Sequence, residues 1–147
     1  MEWHSYMGKH HVFVYGTLRR GGVRAMTEKL PDSQFVVKAK VGGWLYDLLK
    51  PDKAGTYPGL RLDTSGSSVI GEIYEVDDKI LEELDKIEEV NNVHPDKGLY
   101  FRRPVNATPL DGSPGILCWV YEFNPARYPN LKLIKSGDWI KYSRRRR

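Results

Sequence analysis

Apolar and polar positions alternate with a period near two along most of this chain and change to a helical period once. Alternation or β-branched and aromatic runs predict strands over residues 12–15, 34–41, 44–49, 60–62, 69–76, 100–105 and 116–123. Gly42-Gly43 is read as a break between the second and third of these, and Pro104 as the mark of a strand edge or end. The Gly and Pro residues in Ala54-Gly55-Thr56-Tyr57-Pro58-Gly59-Leu60 predict a shaped loop. A short helix is expected over 23–30, stopped by Pro31-Asp32, and a last strand or loop over 131–143. Strands lie in sequence on both sides of one main helix, without regular strand–helix alternation. The expected class is therefore α+β: a mixed, barrel-like sheet of about six to seven strands, with the helix and shorter helices packed on it.

The helical period falls over residues 77–89. Asp77 is placed as the N-cap, with Val76 and Leu81 spaced as a hydrophobic staple around it. At about 100° per residue, Ile80, Leu81, Leu84 and Ile87 share one stripe. Asp78, Glu82, Glu83, Asp85 and Glu89 fall away from that stripe and are read as solvated. Glu88 does not. It lies about 50° from the stripe centre, in the last turn, so a carboxylate is directed to the edge of the core. Partial desolvation and the negative end of the helix both disfavour its charged form, which suits a proton-transfer residue near neutral pH. The plainer reading is a helix-end glutamate that reaches solvent or pairs with Arg102 or Arg103.

Composition narrows the class. The 147 residues, 40% hydrophobic and 12% aromatic, suit one domain with a packed core, taken as 12–143 between a leader at 1–11 and a basic tail at 144–147. The formal charge of +4 comes from the four terminal arginines, since the other 19 basic residues balance the 19 acidic ones. A neutral body argues against a nucleic-acid-binding surface, and the tail reads as a disordered solubilising end. Cys118 is the single cysteine, set in an apolar run, and is expected as a small buried hydrophobe. Without a disulfide framework, an apolar signal segment or a run of transmembrane length, the expected setting is the cytoplasm, with no membrane association. His4, His10 and His11 lack further ligands at a suitable spacing, so no metal site is expected.

Chemistry concentrates in Val12-Phe13-Val14-Tyr15-Gly16-Thr17-Leu18-Arg19-Arg20-Gly21-Gly22. An apolar strand breaks at Gly16, which can take backbone angles closed to other residues, and the turn offers backbone N–H groups that could hold a carboxylate or carbonyl oxygen. Alternatively it is a buried strand running into an ordinary loop. Arg19 and Arg20 are read as solvent-facing rim residues. No nucleophile elbow, Walker loop or dinucleotide fingerprint is present. The tyrosines at 15, 57, 74, 100 and 121 are expected mostly in the core, each hydroxyl reaching a partner.

The 12–21 stretch resembles the signature of the γ-glutamylcyclotransferase-like family, which includes γ-glutamylamine cyclotransferase and AIG2-like proteins. Tyr57-Pro58-Gly59-Leu60, Gly71-Glu72-Ile73-Tyr74-Glu75-Val76, Leu84-Asp85-Lys86-Ile87-Glu88, Tyr100-Phe101-Arg102 and Trp119-Val120-Tyr121 follow in the family's order. The resemblance implies a mixed β-barrel flanked by helices. It implies a cleft in which Tyr15, Gly16, Thr17 and Leu18 hold the substrate through backbone amides, with Glu88 as catalytic acid/base. Tyr121 is carried over as a substrate-contacting residue from a similar strand position in some relatives. The implied reaction is attack by the free α-amine of a small γ-glutamyl compound on its own γ-carbonyl, giving 5-oxoproline and a released amine or amino acid, with no metal or organic cofactor. The alternative is a member of the same fold that binds a small metabolite without turnover. Two features depart from the family. Glu89 stands where many relatives have glycine, and the 90–99 loop, with His94 and Pro95, is long enough to cover the cleft.

Overall fold

The structure is a computed structural model and describes residues 8–19, 25–49 and 56–145. Its frame is a seven-stranded sheet that closes on itself. The strands are β1 (His10–Val14), β2 (Gln34–Asp47), β3 (Pro58–Leu62), β4 (Ser67–Val76), β5 (Tyr100–Pro109), β6 (Ile116–Phe123) and β7 (Lys132–Leu133). Antiparallel pairing runs from β1 to β4, from β4 to β2 and from β2 to β3. Parallel pairs of β6 with β3 and with β1 complete the circuit. β5 lies outside the barrel on β6, and β7 on β2. The mixed barrel expected from the sequence is present. Pro104 sits on the exposed face of β5, an outer strand that tolerates the missing donor.

Period-two alternation sorts the side chains into two cores. Phe13, Ala39, Val41, Leu45, Leu60, Val69, Ile73, Cys118 and Val120, drawn from all the barrel strands, fill the interior together with Trp139 and Ile140. Val12, Val14, Tyr74, Val76, Tyr121 and Phe123 point outwards and meet the main helix. Cys118 is buried as expected, and burial pushes its thiol up to about 12, which leaves it unreactive at neutral pH.

That helix, α2 (Asp78–Ile87), follows the short α1 (Met26–Lys29). The Asp77 side chain accepts from the Ile80 N–H at 2.8 Å, so the cap forms as expected. Val76 and Leu81, on either side of it, join the same core. Ile80, Leu81 and Leu84 are buried, each worth about 1.5–3 kcal/mol in transfer terms, and dock the helix on the barrel wall. It ends two residues earlier than expected. Val90 N–H bonds to Asp85 C=O at 2.9 Å and Glu89 N–H to Lys86 C=O at 3.1 Å, the paired closing bonds of a Schellman motif. Glu88 is the C-cap, and Glu89 takes the left-handed position at φ 53°.

Several expectations need correction. Gly42-Gly43 does not break a strand, because β2 runs through both. A Cβ on Gly43 would lie 2.5 Å from the Arg61 carbonyl oxygen, so the glycine lets one strand turn a barrel corner, leaving β4 for β3. Pro58 and Gly59 are not part of an irregular loop but the start of the strand expected from Leu60. Pro58 opens β3, the one strand position where its missing donor is harmless, and Gly59 packs under Leu48 and Phe123. β1 begins at His10, inside the expected leader. Residues 139–145 form a helix, α3, where a strand or loop was expected, because Trp139 and Ile140 close the barrel interior. α3 runs to Arg145 and so takes in the first half of the expected tail. Arg146 and Arg147 lie outside the described residues, as do residues 20–24 and 50–55, with them Arg20, Gly21 and Gly22.

Candidate active site

The barrel opens where β1 ends. A cleft of about 360 Å³, counting its open mouth, is walled by Phe13, Val14, Tyr15, Gly16, Thr17, Leu18, Pro58, Glu88, Tyr100 and Tyr121. The strand-to-turn stretch and the helix-end glutamate, distant in sequence, thus share one cavity.

The cradle is made rigid by bonds that use its own groups. The Gly16 carbonyl accepts from Arg19 N–H at 3.0 Å and the Leu18 carbonyl from Met26 N–H at 2.8 Å. Gly16 is needed for space and not for unusual angles, because it has no positive φ and a Cβ there would lie 2.3 Å from Pro58 Cγ. Tyr15 is buried beneath it. Its hydroxyl donates to the Tyr121 carbonyl at 2.6 Å and accepts from Leu60 N–H at 3.1 Å, bridging the parallel seam between β6 and β3. With both roles of the oxygen in use, Tyr15 meets the cleft through its ring and backbone.

Opposite the turn stands Glu88, half-buried at the C-terminus of α2. Its charge is felt by a set of phenols. Burial, then the Glu88 charge, holds Tyr15 well above the ordinary tyrosine range. Tyr121 is also raised, by burial first and then by the Asp85 hydrogen bond and the Asp85 and Glu88 charges. Burial followed by Glu89 and Glu88 pushes Tyr128 up to about 12. The three hydroxyls therefore remain protonated at neutral pH, each raised in part by the Glu88 charge. Such a site presents a proton acceptor, aromatic walls and a backbone-lined turn.

The two arginines considered as partners for Glu88 are engaged by other carboxylates. Arg102 Nη1 lies 3.3 Å from Asp85 Oδ2, and Arg103 Nε lies 3.3 Å from Glu122 Oε1. Asp85 corrects the helical reading. It was placed among the solvated residues, yet it is buried at 8% exposure and accepts from the Tyr121 hydroxyl at 2.7 Å. The wheel registers only the apolar stripe. It does not register that β5 and β6 cover the flank beside that stripe and bring a cation and a phenol to the carboxylate. Arg19 is a second correction. Far from facing solvent at the rim, it is 4% exposed, 2.8 Å from Asp138 and 3.8 Å from Glu72.

Comparison with known proteins decides the family. The family model described as gamma-glutamyl cyclotransferase, AIG2-like, matches residues 12–141. The chain belongs to this family. A protein of Vibrio cholerae provisionally named a gamma-glutamylcyclotransferase is 35% identical over 89% of this chain and 96% of its own length. The gamma-L-glutamyl-butirosin B gamma-glutamyl cyclotransferase of Niallia circulans is 31% identical over 90% of this chain and 76% of its own. The crystal structure of an AIG2-like protein from Mus musculus superposes with a TM-score of 0.66, at 24% identity and 87% coverage of both chains, and shares the fold.

Within this γ-glutamylcyclotransferase-like chain, all six residues singled out from sequence line the cleft: Tyr15, Gly16, Thr17, Leu18, Glu88 and Tyr121. Phe13, Val14, Pro58 and Tyr100 were not singled out as site residues. Tyr100 had been read as a core tyrosine, and its hydroxyl does bond inwards, to the Pro58 carbonyl at 2.7 Å. The 90–99 loop contributes no described lining residue. Asn124 holds its backbone through Nδ2 to the Asp96 and Gly98 carbonyls, at 2.9 and 2.8 Å. Among the described residues, no helix is long and apolar enough to cross a membrane.

Proposed function

We propose that this chain is a γ-glutamylcyclotransferase that converts a small γ-glutamyl compound to 5-oxoproline by intramolecular attack of the α-amine, with Glu88 as general acid/base. The observation that carries this reading is the placement of the Glu88 carboxylate across one cleft from the Tyr15–Leu18 turn.

The chemistry needs one group that takes a proton and later returns it. The α-amine must lose a proton as it attacks the γ-carbonyl, and the departing nitrogen must gain one. Glu88 performs both transfers, as base and then as acid. Negative charge develops on the carbonyl oxygen between the two transfers, and backbone N–H groups of Gly16, Thr17 and Leu18 are the donors we assign to it. Amine and carbonyl belong to one molecule, so the cleft has only to hold the chain in its ring-forming conformation. That restraint supplies much of the rate.

The test is formation of 5-oxoproline from a panel of γ-glutamyl amines and γ-glutamyl amino acids, with the wild type and Glu88→Gln side by side. Turnover by the wild type and its loss in a folded Glu88→Gln support the reading. Full activity in Glu88→Gln, or no product from any member of the panel, defeats it. Thermal stabilisation by γ-glutamyl compounds without product would assign the chain to metabolite binding instead.

A further inference from the structure

We infer that Asp85 is a positioning residue of this site, acting through Tyr121: by accepting the only proton of the Tyr121 hydroxyl, it turns that oxygen into an acceptor for the α-ammonium of the γ-glutamyl group. The inference rests on the reading of the cleft as a γ-glutamyl site, but not on turnover there.

Asp85 and Glu88 stand three residues apart on α2 and so share a face of the helix. One oxygen of Asp85 accepts a hydrogen bond from the Tyr121 hydroxyl at 2.7 Å, and the other lies 3.3 Å from Arg102 Nη1. The Arg102 guanidinium stacks 4.6 Å above the Trp119 ring, so the ion pair is held from behind as well. Trp119, Arg102, Asp85 and Tyr121 therefore form one supported line that ends at the cleft wall.

The directions of these bonds fix what Tyr121 can offer. A phenol has one proton and two lone pairs. Its proton is spent on Asp85, and burial with the surrounding carboxylates keeps it there at neutral pH. Towards the cleft the oxygen can only accept. A substrate carboxylate or oxyanion gains nothing from such a group, whereas an ammonium does. Glu88, in the same wall, is a second acceptor. Two acceptors hold the ammonium by separate N–H groups; transfer of one proton to Glu88 frees the nitrogen lone pair, which rotation about the Cα–N bond brings to the γ-carbonyl. Asp85 thus sets the polarity of the subsite while touching no substrate atom itself.

The experiment measures equilibrium binding of N-methyl-L-glutamine and of N-methylglutaramate, which differ only in the α-amino group, by titration calorimetry. Formation of 5-oxoproline is followed in the same solutions to correct the ligand concentration. Wild type, Asp85→Asn, Tyr121→Phe and the double variant are compared. The wild type is expected to favour the amine-bearing ligand by at least about tenfold, the scale of a hydrogen bond to a charged group. Asp85→Asn and Tyr121→Phe should each lose most of that preference, and the double variant should match Tyr121→Phe alone. Equal binding of the two ligands by the wild type overturns the inference. So does a preference retained in Asp85→Asn, or one that Asp85→Asn reduces as strongly in the Tyr121→Phe background, which marks a purely structural aspartate. If Asp85→Asn does not fold, Tyr121→Phe alone decides, and an undiminished preference rejects the inference. A wild type that discriminates between the ligands yet forms no 5-oxoproline would defeat the proposed turnover and leave this inference standing.

Discussion

Among the described residues, the charges around Arg19 and those around Glu88 are arranged on different plans. Around Arg19 the charges are matched: a guanidinium 4% exposed has Asp138 at 2.8 Å and Glu72 at 3.8 Å, and Glu72 also accepts from the Tyr74 hydroxyl at 2.9 Å. Around Glu88 three carboxylates, Asp85, Glu88 and Glu89, gather at one helix end. Asp85 pairs with Arg102, while Glu88 lines an open cleft, where its charge helps raise Tyr15, Tyr121 and, together with Glu89, Tyr128. The matched group joins elements. Arg19 follows the cradle turn directly, and Asp138 opens α3, accepting from Lys141 N–H at 3.2 Å. Burial pushes the Asp138 carboxyl up, but the Lys141 N–H and Arg19 outweigh it and hold the group below the usual carboxylate range. A charge held by protein partners on several elements anchors the fold, and a carboxylate that lines a cleft is where the proposed reaction would put its proton acceptor.

The largest expected effect tests the cleft side. Glu88→Gln keeps shape and removes the proton acceptor, so turnover should fall by about 10²–10⁴ with the unfolding midpoint little changed. A midpoint that drops with the activity would make Glu88 a second anchor and dissolve the contrast. The matched side should respond in the reverse sense. Arg19→Met leaves Glu72 and Asp138 without their shared cation, which is expected to cost about 3–5 kcal/mol in urea denaturation. Adding Glu72→Gln should restore part of that loss, because the single variant leaves a buried carboxylate without the Arg19 cation. Should Arg19→Met unfold at the wild-type midpoint and lose ligand binding instead, the cation would belong to the site.

Why Glu88 was legible from sequence and Arg19 was not follows from this same contrast. Glu88 lies on a helix, where a fixed advance per residue converts spacing into direction, and an apolar stripe marks the core. Arg19 lies in a turn, where spacing carries no direction, and both its partners come from distant elements, β4 and the start of α3. Asp85 shows the limit of the helical method as well. Its angle was read correctly, but the angle cannot reveal that β5 and β6 cover that flank. The barrel was legible through the alternation in β1, β4 and β6, while its corner was not, because Gly42-Gly43 signals a break and a bend with the same residues. The short α3 carries too few turns for a period to emerge, and its helical form follows from Trp139 and Ile140 closing the barrel. Gly16 was singled out, but for its backbone freedom, whereas the demand came from Pro58, a residue that only the closed barrel brings near.

A smaller effect separates the two groups by pH. Tyr15, Tyr121 and Tyr128 titrate above their ordinary value of 10.0, so the fold favours their neutral forms. The stability they contribute is complete below about pH 10 and declines as pH rises towards the folded-state values, for Tyr128 between 10.0 and about 12. Tyrosinate absorbance should therefore appear late, together with loss of tertiary structure. Removing the Glu88 and Glu89 charges together should let Tyr128 ionise at lower pH, while leaving the Arg19 group untouched. Ionisation of all three phenols near pH 10 in the folded protein would refute the picture of a closed, carboxylate-facing set.

The smallest expected effect concerns where the acidic site ends. Glu89 sits at φ 53°, the position after the C-cap at which a Schellman motif normally takes glycine. A side chain there is strained, because its Cβ crowds the following carbonyl, at a cost of roughly 1–2 kcal/mol. Glycine would remove that strain and lose some of the gain to the entropy of its unfolded chain. Glu89→Gly should therefore stabilise the protein by about 1 kcal/mol or less, read as a small rise in the urea midpoint. The side chain is exposed, and its charge reaches the Tyr128 hydroxyl beside that of Glu88. If stability rises and turnover is unchanged, Glu89 is an ill-suited cap and the acidic group of the cleft closes at Glu88. A rise in stability accompanied by a changed pH profile of turnover would place Glu89 within the site, because only the loss of its charge could reach the proton on Glu88.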